Sequence, residues 1–169
     1  MSHWIYKGEP FDPDYDDIDH AGFVYMITNN ITGQKYVGKK VFHARRTLKP
    51  LKGKKRRRKV VKESDWRGYC SSSQEVKDDI KKHGKENFTF EILSFHINRT
   101  ELNYAELKLQ FLLDVLEARC EDTGEYLFYN RNILTKYYRS ELHWEDRLAL
   151  HEHYTNLALS KNLIRNQNS

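Results

Sequence analysis

The sequence predicts an α+β fold, and three observations indicate it. Near the amino terminus, two runs rich in aromatic and β-branched residues flank a polar loop that ends in Gly33, which is typical of a β-hairpin over residues 22–38. A later apolar run, residues 87–95, alternates in the manner of a third strand. Apolar residues at helical spacing over residues 73–83 and 99–117 predict two helices.

The composition is that of a soluble globular protein. The chain has 169 residues, of which 38% are hydrophobic and 31% are charged, so one domain with a hydrophobic core is expected. Nothing approaches the roughly 18 consecutive apolar residues that a membrane span needs. The first residues lack the apolar core of a signal peptide, so we expect an intracellular protein. Cys70 and Cys120 lie far apart, which fits a reducing compartment and offers no metal-binding spacing.

The charge is unevenly distributed along the chain. The net charge is +5, but residues 11–20 are acidic whereas residues 39–62 are strongly basic. From Lys49 to Lys62 there are nine lysine or arginine residues and no acid. Such a block prefers a polyanion, most often nucleic acid. A solvated or targeting-type run is the alternative, but the position inside the chain favours a nucleic-acid clamp.

The remaining segments complete the expected organisation. Residues 1–21 hold several aromatic residues among acids and prolines, which predicts an irregular arm that packs on the domain. Residues 39–47 predict a short helix that Pro50 stops, and the basic block up to about Ser64 then interrupts regular structure. Residues 135–169 predict an extension that contains one further helix.

The first of the two predicted helices has recognisable ends. Ser72 and Glu75 have capping-box spacing at its start, and Gly84 follows its last residue. Val76 and Ile80 give this helix a narrow stripe for burial.

Each arm of the predicted hairpin carries a tyrosine. If the loop is residues 29–32, Thr28 pairs with Gly33, and Tyr25 lies directly across from Tyr36 on one face. A slip of one residue would place the two tyrosines on opposite faces. Ordinary strand aromatics would look the same, so the tyrosines alone do not indicate a site.

The second predicted helix carries an acid where its apolar stripe should continue. The stripe consists of Leu102, Leu109, Leu113 and Leu116, and Glu106 fills the gap. A carboxylate in such a position costs several kcal/mol unless it is paired, protonated or bound to a metal. Two interpretations stay open: a glutamate that bonds to a tyrosine or a buried arginine, and a functional carboxylate.

Two further positions are weaker candidates. Arg45 and Arg46 lie nine and ten residues after Tyr36. An arginine that returned over the tyrosines would suit a phosphate, because its planar fork matches two phosphate oxygens. Asn130 follows a cluster of aromatic residues, where its amide could fix a helix end or orient a ligand.

Taken together, these motifs resemble the GIY-YIG nuclease superfamily over about residues 22–134. The family's first motif matches Phe23-Val24-Tyr25 after Gly22, with Phe-Val-Tyr in place of Gly-Ile-Tyr, and its second matches Tyr36-Val37-Gly38. The family's arginine matches Arg46 best, with Arg45 one position away. Its metal-binding glutamate matches Glu106, and its closing asparagine motif matches Tyr129-Asn130. Many members carry a histidine after the arginine; His43 and Tyr69 are the candidates here, and similarity to phage-type relatives favours Tyr69.

The resemblance implies a small three-stranded antiparallel sheet flanked by helices. It makes residues 22–134 a nuclease domain, with a basic insertion at about residues 49–63, between an arm of residues 1–21 and the extension of residues 135–169. It also implies metal-dependent hydrolysis of a DNA phosphodiester, with one Mg²⁺ or Mn²⁺ on Glu106 and no small-molecule cofactor.

The resemblance assigns a role to each catalytic candidate. Tyr36 would take the proton of the attacking water, and Tyr25 would hold the water or the neighbouring phosphate. Arg46 would stabilise charge on the phosphorus. Asn130 would position Glu106 or the phosphate, and Tyr69 would fill the place of the family's histidine.

The partner implied is DNA, with no membrane. Contacts outside the cleavage site are expected from basic side chains, namely Lys39, Lys40, Arg45, Lys54, Lys55, Arg56, Arg57, Arg58 and Lys59. The phage-borne or homing type of the resemblance implies a bacterial cytoplasm and a phage or mobile-element gene. A homodimer through the C-terminal segment stays open. The alternative function is a nucleic-acid-binding module that keeps the scaffold without cleavage.

Overall fold

The computed structural model describes residues 2–53 and 55–139. The strands are β1 (Ile5–Tyr6), β2 (Glu9–Pro10), β3 (Gly22–Asn29), β4 (Lys35–Val41), β5 (His43–Leu48), β6 (Arg58–Glu63), β7 (Phe88–His96), β8 (Asn132–Ile133) and β9 (Tyr137–Tyr138). The helices are α1 (Gln74–His83) and α2 (Arg99–Leu112). The α+β class is therefore confirmed. The predicted C-terminal helix lies outside the described residues.

The central sheet is larger than the sequence predicted. It has five strands in the order β2-β1-β7-β3-β4, and its β7-β3-β4 part is the expected antiparallel trio. The two extra strands come from the amino-terminal arm, where β1 pairs in parallel with β7 and antiparallel with β2. The arm packs through its aromatic residues as expected, with Trp4 only 1% exposed, but it is not irregular throughout.

The sheet has a hydrophobic core on each face. One core holds Trp4, Phe23, Tyr25, Ile27, Phe42, Trp66, Val76, Phe88, Phe90 and Ile92. The other holds Val37, Val115, Leu116, Phe128 and Ile133, with Met26 and α2 side chains against it. Because successive strand residues point to opposite faces, Tyr25 and Met26 enter different cores. Each face of β3 and β4 is thus fixed by its own packing.

The register of the hairpin differs from the prediction by two residues. Tyr25 pairs with Gly38, and Tyr36 pairs with Ile27. The loop is longer than expected because the Asn29 side chain accepts a hydrogen bond from the Ile31 N–H at 3.0 Å and so organises the turn. A shift of two residues preserves the face of every side chain, so Tyr25 and Tyr36 still share one face.

The predicted helix over residues 39–47 is wrong. β4 runs on to Val41, and β5 follows and pairs antiparallel with β6 in a separate two-stranded sheet. The basic block is therefore regular in part, because β-branched residues such as Thr47, Val60 and Val61 favour paired strands. We call β5, β6 and the residues between them the basic ribbon; within it, Lys54 lies outside the described residues.

The helices predicted over residues 73–83 and 99–117 are confirmed, with corrected ends. α1 ends at Gly84 as expected, but its N-cap is Ser73, and Ser72 forms no capping box. α2 ends at Leu112 rather than at residue 117, because Asp114 adopts a left-handed conformation with φ of 47°. No helix among the described residues is long and apolar enough to cross a membrane.

The half-buried imidazole of His3 packs against two aromatic rings. It stacks on Trp4 and meets Phe90 edge-on at 4.3 Å, and burial, assisted by the nearby Lys85 ammonium, lowers its pKa to about 4. The unfolded chain therefore binds more protons between the ordinary pKa of about 6.5 and the folded value. We expect the free energy of unfolding to fall as the pH is lowered through this range.

His3→Phe tests this dependence, because it keeps a ring against Trp4 and Phe90 without a titrating group. Urea unfolding at pH 7 and pH 4.5 should give a smaller loss of stability for the variant than for the wild type. Parallel losses in the two proteins would rule out His3 as the source.

Candidate functional site

Three tyrosines meet at the edge of the sheet. Tyr25 on β3 lies 6.2 Å, between ring centroids, from both Tyr36 on β4 and Tyr69, which follows the short turn of residues 66–68. Tyr25 is fully buried, whereas Tyr36 and Tyr69 are half-buried above it. Burial raises the pKa of Tyr25 well above its ordinary value, and the neighbouring Tyr36, Tyr69 and Glu106 add to that rise.

Gly38 makes room for this tyrosine cluster. Gly38 lies across from Tyr25 in the sheet, and a Cβ there would stand 2.7 Å from the Tyr25 hydroxyl oxygen and 3.0 Å from Tyr36 Cε1. Both distances are shorter than an ordinary van der Waals contact. The absence of a side chain at position 38 thus lets the two tyrosine rings come together.

The Tyr36 hydroxyl faces the start of α1. It lies 2.8 Å from the Ser72 Oγ, and either oxygen can be the donor. Burial raises the pKa of Tyr36, the hydrogen bond to Ser72 opposes that rise, and the negative charge of Glu106 adds to it. Sequence reasoning assigned Ser72 to a helix cap and so missed this contact; the run Ser71-Ser72-Ser73 gave no signal that distinguished its members.

Glu106 reaches the same edge from the other side of the sheet. α2 packs on β3 and β4, and the Glu106 side chain is 13% exposed and forms a salt bridge with Lys39 of β4. Burial is the main cause of the raised pKa of Tyr25 and of Tyr36, and the negative charge of Glu106 adds to both. The partner that the sequence left open is therefore a lysine, not a tyrosine or a buried arginine.

The side-chain amide of Asn130 forms two hydrogen bonds with the backbone of β4. It is 3% exposed; its Oδ1 accepts from the Val37 N–H at 3.0 Å, and its Nδ2 donates to the Val37 carbonyl at 2.8 Å. Gln110 of α2, which sequence reasoning missed, donates to the same carbonyl at 3.2 Å. Asn130 therefore fixes the strand that carries Tyr36.

The two candidate arginines lie on the exposed basic ribbon. Arg45 pairs with Val61 and Arg46 with Val60, so they point to opposite faces of the ribbon. The hydrogen bond from Lys40 lowers the pKa of Asp65, and the positive charge of Arg46 adds to this effect. The Lys40 ammonium also stands 3.6 Å from the centre of the Tyr69 ring. Within the described residues, no hydrogen bond joins Arg46 to the tyrosines or to Glu106.

The remaining predicted DNA contacts form an open surface. Lys55, Arg56, Arg57, Arg58 and Lys59 are all exposed, while Lys39 and Lys40 are partly buried in their ion pairs. Lys54 lies outside the described residues. In the part of the chain that the structure describes, no three His, Cys, Asp or Glu residues cluster as a ready-made metal site.

The class of protein follows from this arrangement and from a comparison of sequences. The structure has a tyrosine pair on adjacent strands, a glutamate on a helix against the sheet and a buried asparagine, which are the residues by which the sequence resembles a GIY-YIG domain. Residues 4–133 match the family model described as "Putative endonuclease segE, GIY-YIG domain". The chain belongs to this GIY-YIG endonuclease domain family. Neither the comparison with curated proteins nor that with solved structures gave a significant match.

The contact of Gly38 with Tyr25 predicts a cost for any side chain at position 38. Gly38→Ala should lower the free energy of unfolding by about 1–3 kcal/mol, because the new methyl group must displace the buried Tyr25 ring. Gly68→Ala is the matched control, since nothing lies within 4 Å of its added Cβ. Urea denaturation of both variants measures the difference; equal effects would contradict the close packing.

The two hydrogen bonds between Asn130 and the Val37 backbone, which we call the Val37 clamp, predict that an acid cannot replace the amide of Asn130. Asn130→Asp keeps the shape but removes the donor to the Val37 carbonyl, so the free energy of unfolding should fall by about 1–3 kcal/mol. Asn103→Asp, at an exposed position of α2, should change it by less than about 0.5 kcal/mol. Thermal or urea unfolding of the two variants at pH 7 decides; a tolerated acid at position 130 would rule out the clamp.

Proposed function

We propose that this protein is a metal-dependent DNA endonuclease that hydrolyses phosphodiester bonds with tyrosine assistance. The observation that carries the proposal is the cluster of Tyr25, Tyr36 and Tyr69 at the strand that also carries Lys39, the ion-pair partner of Glu106, in a chain of an endonuclease domain family.

Tyr36 is the proton acceptor in this proposal. Its hydroxyl is half-buried at the mouth of the cluster and already exchanges a hydrogen bond with Ser72. An ionised phenol can take the proton of a water molecule that attacks the phosphorus. Since burial and Glu106 raise the pKa of Tyr36, positive charge must come near the hydroxyl for the ionised form to be populated at neutral pH.

Tyr25 acts in the proposal as a positioning residue. Because it is fully buried, its hydroxyl orients Tyr36 and Tyr69 from below rather than standing open to solvent. Tyr69 lies at the surface of the cluster, where its hydroxyl can bond to a phosphate oxygen. Arg46, whose charge acts on the Asp65–Lys40 pair beside Tyr69, would stabilise negative charge on the phosphate that is cut.

The chemistry of Glu106 fits a single Mg²⁺ or Mn²⁺. In the structure, the Lys39 ammonium pairs with the Glu106 carboxylate, so this carboxylate already binds a cation. Mg²⁺ in proteins is often held by one or two carboxylates together with waters and substrate phosphates. When bound, such an ion would stabilise charge on a phosphate oxygen and on the departing oxygen. Lys39 would then be released from Glu106 and become available to the DNA backbone.

The exposed basic side chains supply the affinity for DNA in this proposal. Phosphate contacts by lysine and arginine are independent of sequence and weaken with salt. The same surface would also suit the alternative function, a binding module without cleavage. A bacterial cytoplasmic location, a phage or mobile-element gene and a homodimer also remain proposals.

Cleavage of supercoiled plasmid tests the proposed reaction. Wild-type protein with Mg²⁺ should nick the plasmid, and EDTA should abolish nicking. Glu106→Gln should slow it about 100-fold or more, because the carboxylate that holds the ion is lost. Glu121→Gln is the matched control, since Glu121 is an exposed acid away from the cluster, and it should leave the rate unchanged.

Two outcomes would overturn the proposal. Equal nicking by wild type and Glu106→Gln would remove Glu106 from the site. Binding of DNA without nicking, with Mg²⁺ and with Mn²⁺, would favour the binding module.

A further inference from the structure

The basic ribbon concentrates positive charge on one hairpin: from His43 to Glu63 the sequence has eleven lysine or arginine residues and one acid. Within residues 2–53 and 55–139, β5 and β6 pair with each other and with no other strand, so this hairpin is separate from the central sheet. Its side chains divide into two rows, because residues paired across two antiparallel strands share a face. One row contains the pairs Ala44–Lys62, Arg46–Val60 and Leu48–Arg58; the other contains His43–Glu63, Arg45–Val61 and Thr47–Lys59.

The row of Arg45 and Lys59 is flanked at its base by the acidic arm. The Tyr15 hydroxyl and the His43 Nδ1 lie 2.8 Å apart, and Tyr15 begins the turn that contains Asp16 and Asp17. Glu63 accepts a hydrogen bond from Arg67, which also forms a salt bridge with Asp12. Acids on this side of the ribbon repel phosphates, so we call this row the arm face.

The row of Arg46 and Arg58 lies on the opposite face of the ribbon from those acids. Asp65, which follows β6, pairs with Lys40 at 2.7 Å, and the Lys40 ammonium stands 3.6 Å from the centre of the Tyr69 ring. The charge of Arg46 adds to the lowering of the Asp65 pKa by Lys40. We call this row the cleft face. Its three cationic side chains alternate with the smaller apolar side chains of Ala44, Leu48 and Val60.

We propose that the basic ribbon lies in the major groove of duplex DNA, with its cleft face toward the base edges, next to the phosphate that is cut. This inference rests on the proposed function and adds the surface that contacts the base edges of the duplex. The major groove is about 12 Å wide and admits a two-stranded ribbon. Arginine there can bond to guanine O6 and N7, and apolar side chains can contact the thymine methyl group. The ribbon would therefore give the enzyme its sequence preference.

Adjacent residues of β6 provide a matched pair for the test. Arg58 lies on the cleft face and Lys59 on the arm face; both are exposed, and each substitution by Gln removes one positive charge. The background is the full chain with Glu106→Gln in EDTA, so that binding is measured without cleavage. Fluorescence anisotropy gives the affinity for a 30-base-pair duplex and for one of its single strands. Lys82→Gln, on α1, is the control outside the ribbon.

The expected result is a difference between the two faces. Arg58→Gln should weaken duplex binding about fivefold or more and remove the protection of guanine N7 against dimethyl sulfate. Lys59→Gln should weaken it about twofold or less, as expected for the loss of one long-range charge. Lys82→Gln should leave it unchanged, and the single strand should bind less tightly than the duplex. Equal melting temperatures of the variants show that the fold is intact.

Three results would overturn the inference: equal losses for Arg58→Gln and Lys59→Gln, unprotected guanine N7, or single-strand binding as tight as duplex binding. Any of these could occur with plasmid nicking intact, in which case the proposed function stands and the groove contact does not. The expected binding pattern without nicking by the wild type would support the groove contact and contradict the proposed function.

Discussion

The structure depends on the way in which the backbone of Val37 is held. β4 is the edge strand of the central sheet, so the outward N–H and C=O of Val37 have no strand partner and need other hydrogen bonds. The buried amide of Asn130 bonds to both, and Gln110 donates to the same carbonyl. The edge strand is thereby joined to α2 and to the closing segment. Because Tyr36 and Gly38 are the neighbours of Val37, the same clamp fixes one half of the tyrosine cluster.

Successive side chains of β4 point to opposite faces, so the candidate site residues lie on both sides of the sheet. Tyr36, Gly38 and Lys40 project toward Tyr25 and Tyr69, whereas Val37 and Lys39 project toward α2. Glu106 therefore meets its partner Lys39 on the side opposite the tyrosine rings, yet its charge acts on Tyr25 and Tyr36. β4 thus links the tyrosine cluster to Glu106, and its Gly38 leaves room for the Tyr25 ring.

The sequence predicts those parts of the fold and of the candidate site that depend on the spacing of nearby residues. Alternation identified β3, β4 and β7, and the polar residue in an apolar stripe identified Glu106. The strand pairing of the basic ribbon could not be predicted, because charge dominates its composition and its partner strand lies ten residues away. The contacts of Ser72, Gln110 and Lys39 were also hidden, since each depends on a register or a helix placement that distant residues determine. The burial of Trp4 beside the sheet was not predictable in detail either, because no neighbouring residue indicates that β1 pairs with β7.

The central claim is that Tyr36 and Glu106 belong to one reacting site although they lie on different sides of the sheet. A double-mutant cycle on plasmid nicking, with Tyr36→Phe, Glu106→Gln and both together, tests this most directly. Residues that act as a unit give strongly non-additive effects on rate. We predict that the double variant is about as slow as the slower single variant. A double variant slowed by the product of the two single effects would show that the residues act independently, and would contradict the account.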